Sequence, residues 1–259
     1  MKSDMKITFV GTGTSMGIPM IGCQCTTCTS SDPRDKRFRT SVWIESQGKH
    51  IIIDTGIDFR HQALKWQIPS VDAVLFTHHH VDHVFGLDEL RPINFLQKKT
   101  VQIYANNRTL EALKRIYPYI FNGHNCPSDV PKIDYEIFGA QPFTVEGIEI
   151  IPVPLFHGHL PVAGFRINNM AYCTDVNQIP EESYSLLEDL DILVLGALRD
   201  SPHPTHFNLS EARREAEKIG AKQTYFVHIS HELNHAGMLE RLPSGMAPAY
   251  DGLQLELPG

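Results

Sequence analysis

The chain has 259 residues, with 23 basic against 30 acidic side chains and a formal net charge of −7 at pH 7. This length suits one substantial domain, and the acidic balance disfavours a nucleic acid partner, because gripping a phosphate backbone calls for clustered lysine and arginine. No apolar run approaches the roughly 20 residues that a membrane-spanning helix needs, so we expect a cytoplasmic protein that makes no contact with a membrane.

Short apolar runs rich in β-branched and aromatic residues predict the strands of the first half. These runs are 5–11, 41–46, 50–54, 72–76 and 101–105. Between and after them, apolar residues three and four positions apart predict helices over 58–67 and 107–120.

The second half repeats this style. Strands are predicted over 143–157, 163–168, 170–175, 191–197 and 224–230, and helices over 181–190 and 209–220. Asn208 or Ser210 is a candidate N-cap of the last helix, and Gly220 is its stop. Strands followed by helices in each half predict two sheets stacked between helical layers. No linker or repeat interrupts the chain, so we expect one domain over 1–259.

A cluster of titratable residues directly follows the predicted strand 72–76. It has the spacing His78-x-His80-x-Asp82-His83. Because alternate residues of an extended backbone share a face, His78 and His80 are expected to converge on one metal ion, while the following turn directs Asp82 and His83 to a second. Imidazole and carboxylate ligands suit zinc, iron or manganese.

Further candidate ligands end later strands, where active-site loops emerge. His157, Asp175 and His228 each close an apolar run. His159 is an alternative to His157, and a turn cap is an alternative role for Asp175. Together with the cluster, these residues predict a dinuclear metal site.

The order and spacing of Asp54, the histidine box, His157, Asp175 and His228 resemble the metallo-β-lactamase superfamily over essentially the whole chain. The resemblance implies an α/β (α+β) fold, a four-layer αββα sandwich. It places one metal on His78, His80 and His157, a second on Asp82, His83 and His228, and Asp175 between them. It also implies that Asp54 orients ligands by hydrogen bonding and that His79 faces away.

The implied ligands define a chemistry. Two divalent ions, Mn²⁺ or Zn²⁺, about 3.5–4 Å apart lower the pKa of a bridging water toward about 7 and neutralise charge on a phosphoryl oxygen. The expected nucleophile is therefore a hydroxide available at neutral pH.

Three cysteines form a second cluster on a glycine-rich loop at about 22–30. Cys23, Cys25 and Cys28 supply three soft ligands, one short of a tetrahedral zinc site, and His231 in HISHE is a candidate fourth ligand. The alternative is that these thiols are reduced and bind nothing. Cys173 is expected to be a small core residue, whereas Cys126 and His235 receive no role.

The segment GTGTSMGIPMIGCQCTTC (11–28), followed much later by HISHE, resembles the phosphodiesterases that open phosphoribosyl 1,2-cyclic phosphate during phosphonate breakdown. The resemblance implies a structural Zn²⁺ on the three cysteines and His231. It also implies that His206 is a general acid, with a simple turn histidine as the alternative. Arg91 is expected to hold a phosphate oxygen or to form a surface salt bridge. Nothing in 97–129 matches a substrate-reading motif.

The predicted function is hydrolysis of a small cyclic phosphate or nucleotide-like phosphodiester. A tRNA 3′-end endonuclease is the first alternative, although only seventeen residues separate His157 from Asp175, too few for an RNA-clamping arm. Diiron oxygen reductases usually place Glu where the box has His80, while the ligands do not exclude thioester or lactam hydrolysis. A noncatalytic metal-binding module is the alternative from a different class. For any oligomer, a two-fold homodimer is the expected form.

Overall fold

The computed structural model describes residues 5–122 and 129–257. The strands are β1 (Met5–Gly11), β2 (Ser41–Ser46), β3 (Lys49–Ile53), β4 (Ala73–Leu75), β5 (Val101–Ala105), β6 (Ile133–Ile137), β7 (Phe143–Val145), β8 (Ile148–His157), β9 (Leu160–Ile167), β10 (Met170–Cys173), β11 (Ile192–Gly196), β12 (Gln223–Val227), β13 (Met246–Pro248) and β14 (Gln254–Leu257). The helices are α1 (Thr26–Thr29), α2 (Phe59–Lys65), α3 (Val81–Val84), α4 (Leu90–Gln97), α5 (Asn107–Ile116), α6 (Pro118–Phe121), α7 (Glu181–Tyr184), α8 (Leu209–Ile219) and α9 (His235–Arg241).

The strands form two mixed sheets with the orders β14-β1-β2-β3-β4-β5-β6 and β13-β12-β11-β10-β9-β8-β7. In the first sheet, β3 to β6 run parallel to one another. In the second, β10 to β13 are parallel, and β8 shares their direction because both β8 and β10 pair antiparallel with β9. Loops that leave the carboxyl ends of these strands therefore emerge at a common edge of each sheet.

Three hydrophobic clusters separate the layers. In β3, Ile51 and Ile53 pack between the two sheets, while Ile52 packs against the helices on the outer face of the first sheet. The third cluster lies between the second sheet and the helices that follow it, and it includes Cys173, which confirms the prediction of a core cysteine. Strands buried on both faces are continuously apolar, which is why they were recognisable in the sequence. The predicted αββα architecture is confirmed.

Several predicted elements had wrong boundaries, for identifiable reasons. The single strand over 143–157 is two strands, because Glu146 and Gly147 have φ of 50° and 86° and form the turn between β7 and β8. The helix over 107–120 ends at Ile116, since the residue before Pro118 cannot remain helical. The helix over 181–190 is α7 followed by a 3₁₀ turn over Ser185–Leu187.

Several elements were missed. Four helices (α1, α3, α4 and α9) and three strands (β6, β13 and β14) did not appear in the sequence-based prediction. Strand β6 lies at the edge of its sheet and is mostly exposed, so it lacks an apolar run.

No helix in 5–122 or 129–257 is long and apolar enough to span a bilayer. The single-domain assignment stays a prediction.

Helix α8 begins with a reciprocal cap. The side chain of Asn208 accepts a hydrogen bond from the backbone N–H of Glu211, and the Glu211 carboxylate accepts one from the N–H of Asn208. Gly220 ends the helix with φ of 72°. Both the N-cap choice of Asn208 and the stop at Gly220 are confirmed.

Replacing Asn208 by Ala should lower the free energy of unfolding by about 1 kcal/mol, because the cap acceptor is lost. Urea denaturation measures this change. Glu217→Ala, at an exposed ion pair of the same helix with Arg213, is the matched control and should change stability by less than about 0.5 kcal/mol. Equal effects of the two changes would contradict a stabilising cap.

Candidate metal centre

Asp54 is a buried carboxylate that supports the centre through hydrogen bonds. It follows β3, is fully buried, and its carboxylate accepts hydrogen bonds from the N–H and hydroxyl of Thr77 at 2.8 and 2.7 Å. The same carboxylate lies 2.7 Å from Nδ1 of His83. An imidazole that donates its Nδ1–H to Asp54 keeps the lone pair of Nε2 for a metal. Asp54 thus contacts the ligand that it was expected to orient, and the orienting role itself stays a prediction.

The histidine box is split between a loop and a short helix. Strand β4 ends at Leu75, His78 lies in the loop, and α3 begins after His80. The first turn of α3 carries Asp82 and His83, which are buried on the side of the carboxyl ends of the strands. The change from extended loop to helix separates the box into the two pairs that the alternation predicted.

Two donor sets share one carboxylate. Site 1 comprises His78, His80, His157 and Asp175, and site 2 comprises Asp82, His83, Asp175 and His228. Within each set, one donor atom per residue lies within 4.8 Å of all the others. Asp175 belongs to both sets and lies where they meet, and its role as a bridging ligand stays a prediction.

The donor atoms of site 2 are closely spaced. Nε2 of His83 lies 3.3 Å from Oδ2 of Asp82 and 3.4 Å from Oδ1 of Asp175. Nε2 of His228 lies 3.3 Å from Oδ2 of Asp175 and 3.5 Å from Oδ2 of Asp82. Ligands at 2.0–2.1 Å from a tetrahedral zinc are about 3.3 Å apart, so this spacing fits a divalent ion.

The imidazole rings of site 1 pack against one another. The centroid of His80 lies 4.5 Å from that of His78 and 5.1 Å from that of His157. Nδ1 of His157 lies 2.6 Å from the carbonyl oxygen of Thr205, which fixes the tautomer with a free Nε2. His159 is exposed and outside both sets, so His157 is the histidine that the fold brings to the site.

Buried nitrogens without partners indicate what these sites hold. Nε2 of His78 and Nε2 of His83 are buried and have no hydrogen-bond partner among the described residues. A buried polar atom left unpaired costs about 1–3 kcal/mol, a cost that a metal–ligand bond removes. The nitrogen and carboxylate donors suit zinc or manganese, so the residues fit a pair of divalent cations.

The electrostatics of the centre keep its carboxylates ionised. Burial alone would raise the pKa of Asp175, but the imidazoles of His228 and His83 outweigh it and hold that pKa well below its usual range. Burial likewise opposes ionisation of Asp82, whose pKa is nevertheless lowered by His83 and His228. His83 shows the reverse balance: burial would lower its pKa, yet Asp175, Asp82 and Asp54 raise it well above normal. His83 would therefore have to release a proton in order to hold a metal ion in site 2.

Three residues of the centre have left-handed backbones. The φ angles are 63° at Asp54, 54° at Asp175 and 58° at His228. Asp54 and His228 directly follow β3 and β12, and Asp175 lies two residues after the end of β10. Such angles are uncommon for residues other than glycine, with Asp and His among the more tolerant types. The predicted strand over 224–230 ends at Val227, and this turn is what directs His228 to site 2.

The cysteine site comprises Cys23, Cys25, Cys28 and His231. Nδ1 of His231 lies 3.4 Å from the sulfur of Cys23 and 3.3 Å from that of Cys25. The backbone N–H of Met20 donates to the sulfur of Cys28 at 3.3 Å. A hydrogen bond from His231 lowers the pKa of Cys25 to about 6, while burial raises that of Cys28 to about 11. Three sulfurs and one imidazole in this arrangement fit a tetrahedral zinc ion.

His206 lies at the mouth of the centre. Its ring centroid is 4.4 Å from that of His157 and 4.7 Å from that of His228. Burial, followed by the charge of His228, lowers its pKa to about 2. His203, which the sequence analysis missed, has its centroid 5.1 Å from that of His206. His203 could have been identified from the sequence because it lies in the short segment HPTH together with His206.

Arg91 lies apart from the metal donors. It is exposed, donates to the carbonyl of Asp129 at 3.2 Å, and lines a surface cavity of about 670 Å³. The surface salt bridge that was its alternative role is not formed within the described part of the chain. The two acidic residues nearest in sequence have other partners, since Tyr119 donates to Asp88 and Arg60 pairs with Glu89. A phosphate-binding role for Arg91 stays a prediction.

The remaining expectations have simple outcomes. His79 belongs to neither donor set, and its pKa is lowered by burial and by Arg108 and Arg115, so it faces away as expected. Cys126 lies outside the described residues. Thr77 and Thr205, which orient ligands, were not identified from the sequence because a threonine beside a ligand carries no distinctive spacing.

Comparison with known proteins defines the family. A family model for the beta-lactamase superfamily domain matches residues 49–229. The chain therefore belongs to the β-lactamase superfamily, with the metallo-β-lactamase fold, and the recognition made from its motifs is confirmed.

More detailed likenesses follow within this family. The crystal structure of a new diphosphatase from the PhnP family has a TM-score of 0.93 and 43% identity, covering 99% of this chain and 98% of that one. An octanoyltransferase of Porphyromonas gingivalis is 37% identical over 253 residues, which cover 96% of this chain and 51% of that protein. A ribonuclease Z of Clostridium kluyveri is 33% identical over 94 residues, covering 36% of this chain and 28% of that protein. The chain thus spans about half or less of these two curated relatives.

Replacing Asp175 by Ala should remove both ions of sites 1 and 2 while leaving the ion of the cysteine site, because Asp175 is the donor that the two sites share. Elemental analysis after reconstitution and desalting counts the ions per chain. Asp134→Ala, an exposed change in β6, is the control and should retain all of them. Retention of two manganese ions by the Asp175 variant would contradict the bridging assignment.

Replacing Cys25 by Ser should remove one zinc equivalent and lower the melting temperature, since a soft ligand of the cysteine site is lost. Elemental analysis and thermal unfolding in the presence and absence of a chelator measure both effects. Cys173→Ser serves as a control cysteine and should retain its zinc. A full zinc complement in the Cys25 variant would be incompatible with this site.

Proposed function

We propose that the protein is a dinuclear metal-dependent phosphodiesterase that hydrolyses a small cyclic phosphate or nucleotide-like ester. The observation that carries the proposal is the pair of donor sets sharing Asp175, with buried nitrogens that lack other partners. Two bound divalent cations supply an activated water and neutralise charge on a phosphoryl oxygen. Sites 1 and 2 would hold these two ions, and the cysteine site a structural Zn²⁺.

Other residues of the chain orient the donor atoms and exclude water. Asp54 and the carbonyl of Thr205 fix the tautomers of His83 and His157, so that the donor atoms are oriented before substrate arrives. The burial of Asp175 and His78 keeps bulk water away from the base of the centre. Electrostatic interactions with the ester are strengthened where water is excluded.

We assign His206 as the group that protonates the departing oxygen. In the free protein the imidazole is neutral, because its pKa is about 2. An anionic phosphoryl group beside the ring would favour the protonated form and raise this pKa. His206 lies between His157 of site 1 and His228 of site 2, where the ester would bind.

The relatives support phosphoryl chemistry more than the alternatives. The structure with 43% identity is a diphosphatase. The ribonuclease Z likeness favours the tRNA 3′-end endonuclease as second candidate, but residues 158–174 are largely occupied by β9 and β10. Together with the net charge of −7, this favours a small phosphodiester partner over RNA. The octanoyltransferase likeness covers 51% of that protein and does not support acyl transfer here.

A substrate panel on manganese- and zinc-loaded protein tests the proposal. It contains phosphoribosyl 1,2-cyclic phosphate, a 2′,3′-cyclic nucleotide, a dinucleoside diphosphate, bis(p-nitrophenyl) phosphate and a pre-tRNA. Turnover of the small esters with little cleavage of the pre-tRNA is expected. Preferred cleavage of the pre-tRNA would establish the endonuclease, and metal binding without any hydrolysis would indicate a noncatalytic module.

Replacing His206 by Ala should reduce kcat about 10²- to 10⁴-fold on an ester with an alkoxide leaving group, since general acid catalysis typically contributes that much. The effect on bis(p-nitrophenyl) phosphate should be much smaller, because p-nitrophenolate leaves without a proton. Steady-state kinetics on both substrates measure the difference. His159→Ala, an exposed histidine near His157, is the matched control. Equal losses on both substrates would contradict the acid role.

A further inference from the structure

A buried arginine lies outside all three candidate metal sites. The side chain of Arg37 is 2% exposed. Its Nη1 donates to the hydroxyl of Thr12 at 2.7 Å and to the carbonyl of Ala249 at 2.5 Å, and its Nη2 lies 3.4 Å from Nδ1 of His235. Its Nε has no acceptor among the described residues. Removing a guanidinium from water costs several kcal/mol, so an apolar side chain would fill this space at a lower cost.

The charge on Arg37 is balanced through a threonine. The Thr12 hydroxyl donates to Oδ1 of Asp251 at 2.7 Å, and the N–H of Phe38 donates to Oδ2 at 2.6 Å. Burial lowers the pKa of Arg37 to about 10 and raises that of Asp251 to about 6. Both groups are therefore charged at neutral pH. The Thr12 hydroxyl thus lies between opposite charges: it accepts a hydrogen bond from Arg37 and donates one to Asp251.

The backbone at Thr12 holds the segment that carries His228. The N–H of Ile229 donates to the carbonyl of Thr12 at 3.1 Å, and the N–H of Thr14 donates to the carbonyl of Ile229 at 3.0 Å. Ile229 directly follows His228, whose φ is 58°. A backbone in this sparsely populated region persists only where surrounding contacts hold it. These two hydrogen bonds are such contacts.

The same arginine closes the cysteine loop. The N–H of Arg37 donates to the carbonyl of Ile18 at 2.8 Å, and the N–H of Ile18 donates back at 2.9 Å, so the segment between them, 19–36, carries all three cysteines. On the other side, Asp35 accepts from the N–H of His235 at 2.7 Å. His235 begins α9, four residues after His231 of the cysteine site. Arg37 therefore contacts both the loop of the cysteines and the segment of the histidines.

We propose that Arg37 is a positioning residue that couples the cysteine site to site 2. Through Thr12 it fixes Ile229, so that an ion in the cysteine site raises the affinity of site 2 for its own ion. Coupling of this kind is reciprocal, so an ion in site 2 strengthens the cysteine site by the same factor. The proposal rests on the metal sites of the proposed function, but it concerns metal affinity rather than the reaction.

A double-mutant cycle on the full-length chain tests the coupling. Cys25→Ala empties the cysteine site and Arg37→Met removes the link. The wild-type and Arg37→Met chains are loaded with one equivalent of Zn²⁺, whereas the two chains with Cys25→Ala receive none, because zinc would otherwise occupy site 1 or 2. Each chain is then titrated with Mn²⁺, with free manganese followed by electron paramagnetic resonance. We expect each single change to weaken one of the two manganese equivalents by about 10-fold, as other groups that orient metal ligands do. The double variant should be no weaker than the weaker single variant, because both changes break one connection.

Two further variants distinguish a positioning role of Arg37 from a general destabilisation of the fold. Arg34→Met removes an arginine of the same loop whose ion pair, within the described residues, is with its neighbour Asp32, and it should leave both affinities unchanged. Arg37→Lys retains a charge that reaches Thr12 or Ala249 and should restore part of the lost affinity. Should Arg37→Met fail to fold, Arg37→Lys replaces it in the cycle, with a smaller expected weakening.

Additive weakening in the double variant would overturn the coupling while leaving the proposed function intact. Equal weakening of both manganese equivalents by Arg37→Met would also overturn it, since general loosening of the fold does not select site 2. A wild-type chain that binds no manganese would overturn the coupling and the proposed function together.

Discussion

The centre depends on one physical constraint: buried imidazoles and carboxylates converge, and several of the imidazole nitrogens have no hydrogen-bond partner among the described residues. Nε2 of His78 and His83 point at Asp175 and Asp82 without a hydrogen-bond partner among the described residues. Without cations, a proton on His83 is the local compensation, which its raised pKa reflects. Divalent ions satisfy all of these atoms at once, and Asp175 links the two positions. Without metal ions, the buried and unpaired groups destabilise the folded chain. Bound metal ions would compensate them.

The fold makes this convergence possible through strand direction. Ligands come from the ends of β4, β8, β10 and β12, which belong to two different sheets whose loops emerge on the same side. Left-handed residues at the ends of β3, β10 and β12 then turn the side chains inward. Oxygens of Asp54, Thr77 and Thr205 accept hydrogen bonds from three of the imidazoles and so fix which nitrogen of each is free; these imidazoles are His83, His78 and His157. Ligand orientation is thus built into backbone and hydrogen bonds before any ion binds.

Much of this could be predicted from the sequence because each ligand follows an apolar strand, and buried strands have a strong local signal. The residues of both donor sets were recognised in this way, whereas the cysteine site was recognised from the spacing of its cysteines and the αββα sandwich from the family resemblance. What could not be predicted depends on distant contacts. Thr205 supports His157 across 48 positions, and Arg37 reaches Ala249 across 212, with no local pattern to reveal either pairing. The exposed edge strand β6 lacked an apolar signal. Arg91 closely follows the box in sequence and donates to Asp129, and its phosphate-binding role stays a prediction.

The most direct test of the central claim is anomalous X-ray diffraction from crystals of the metal-loaded protein, collected at the manganese and zinc edges. The account predicts two catalytic ions about 3.5–4 Å apart, one bonded to His78, His80 and His157 and the other to Asp82, His83 and His228, with Asp175 bonded to both. A third peak is expected among the three cysteine sulfurs and His231. A single peak at the cysteines, with nothing beside Asp175 after full reconstitution, would contradict it.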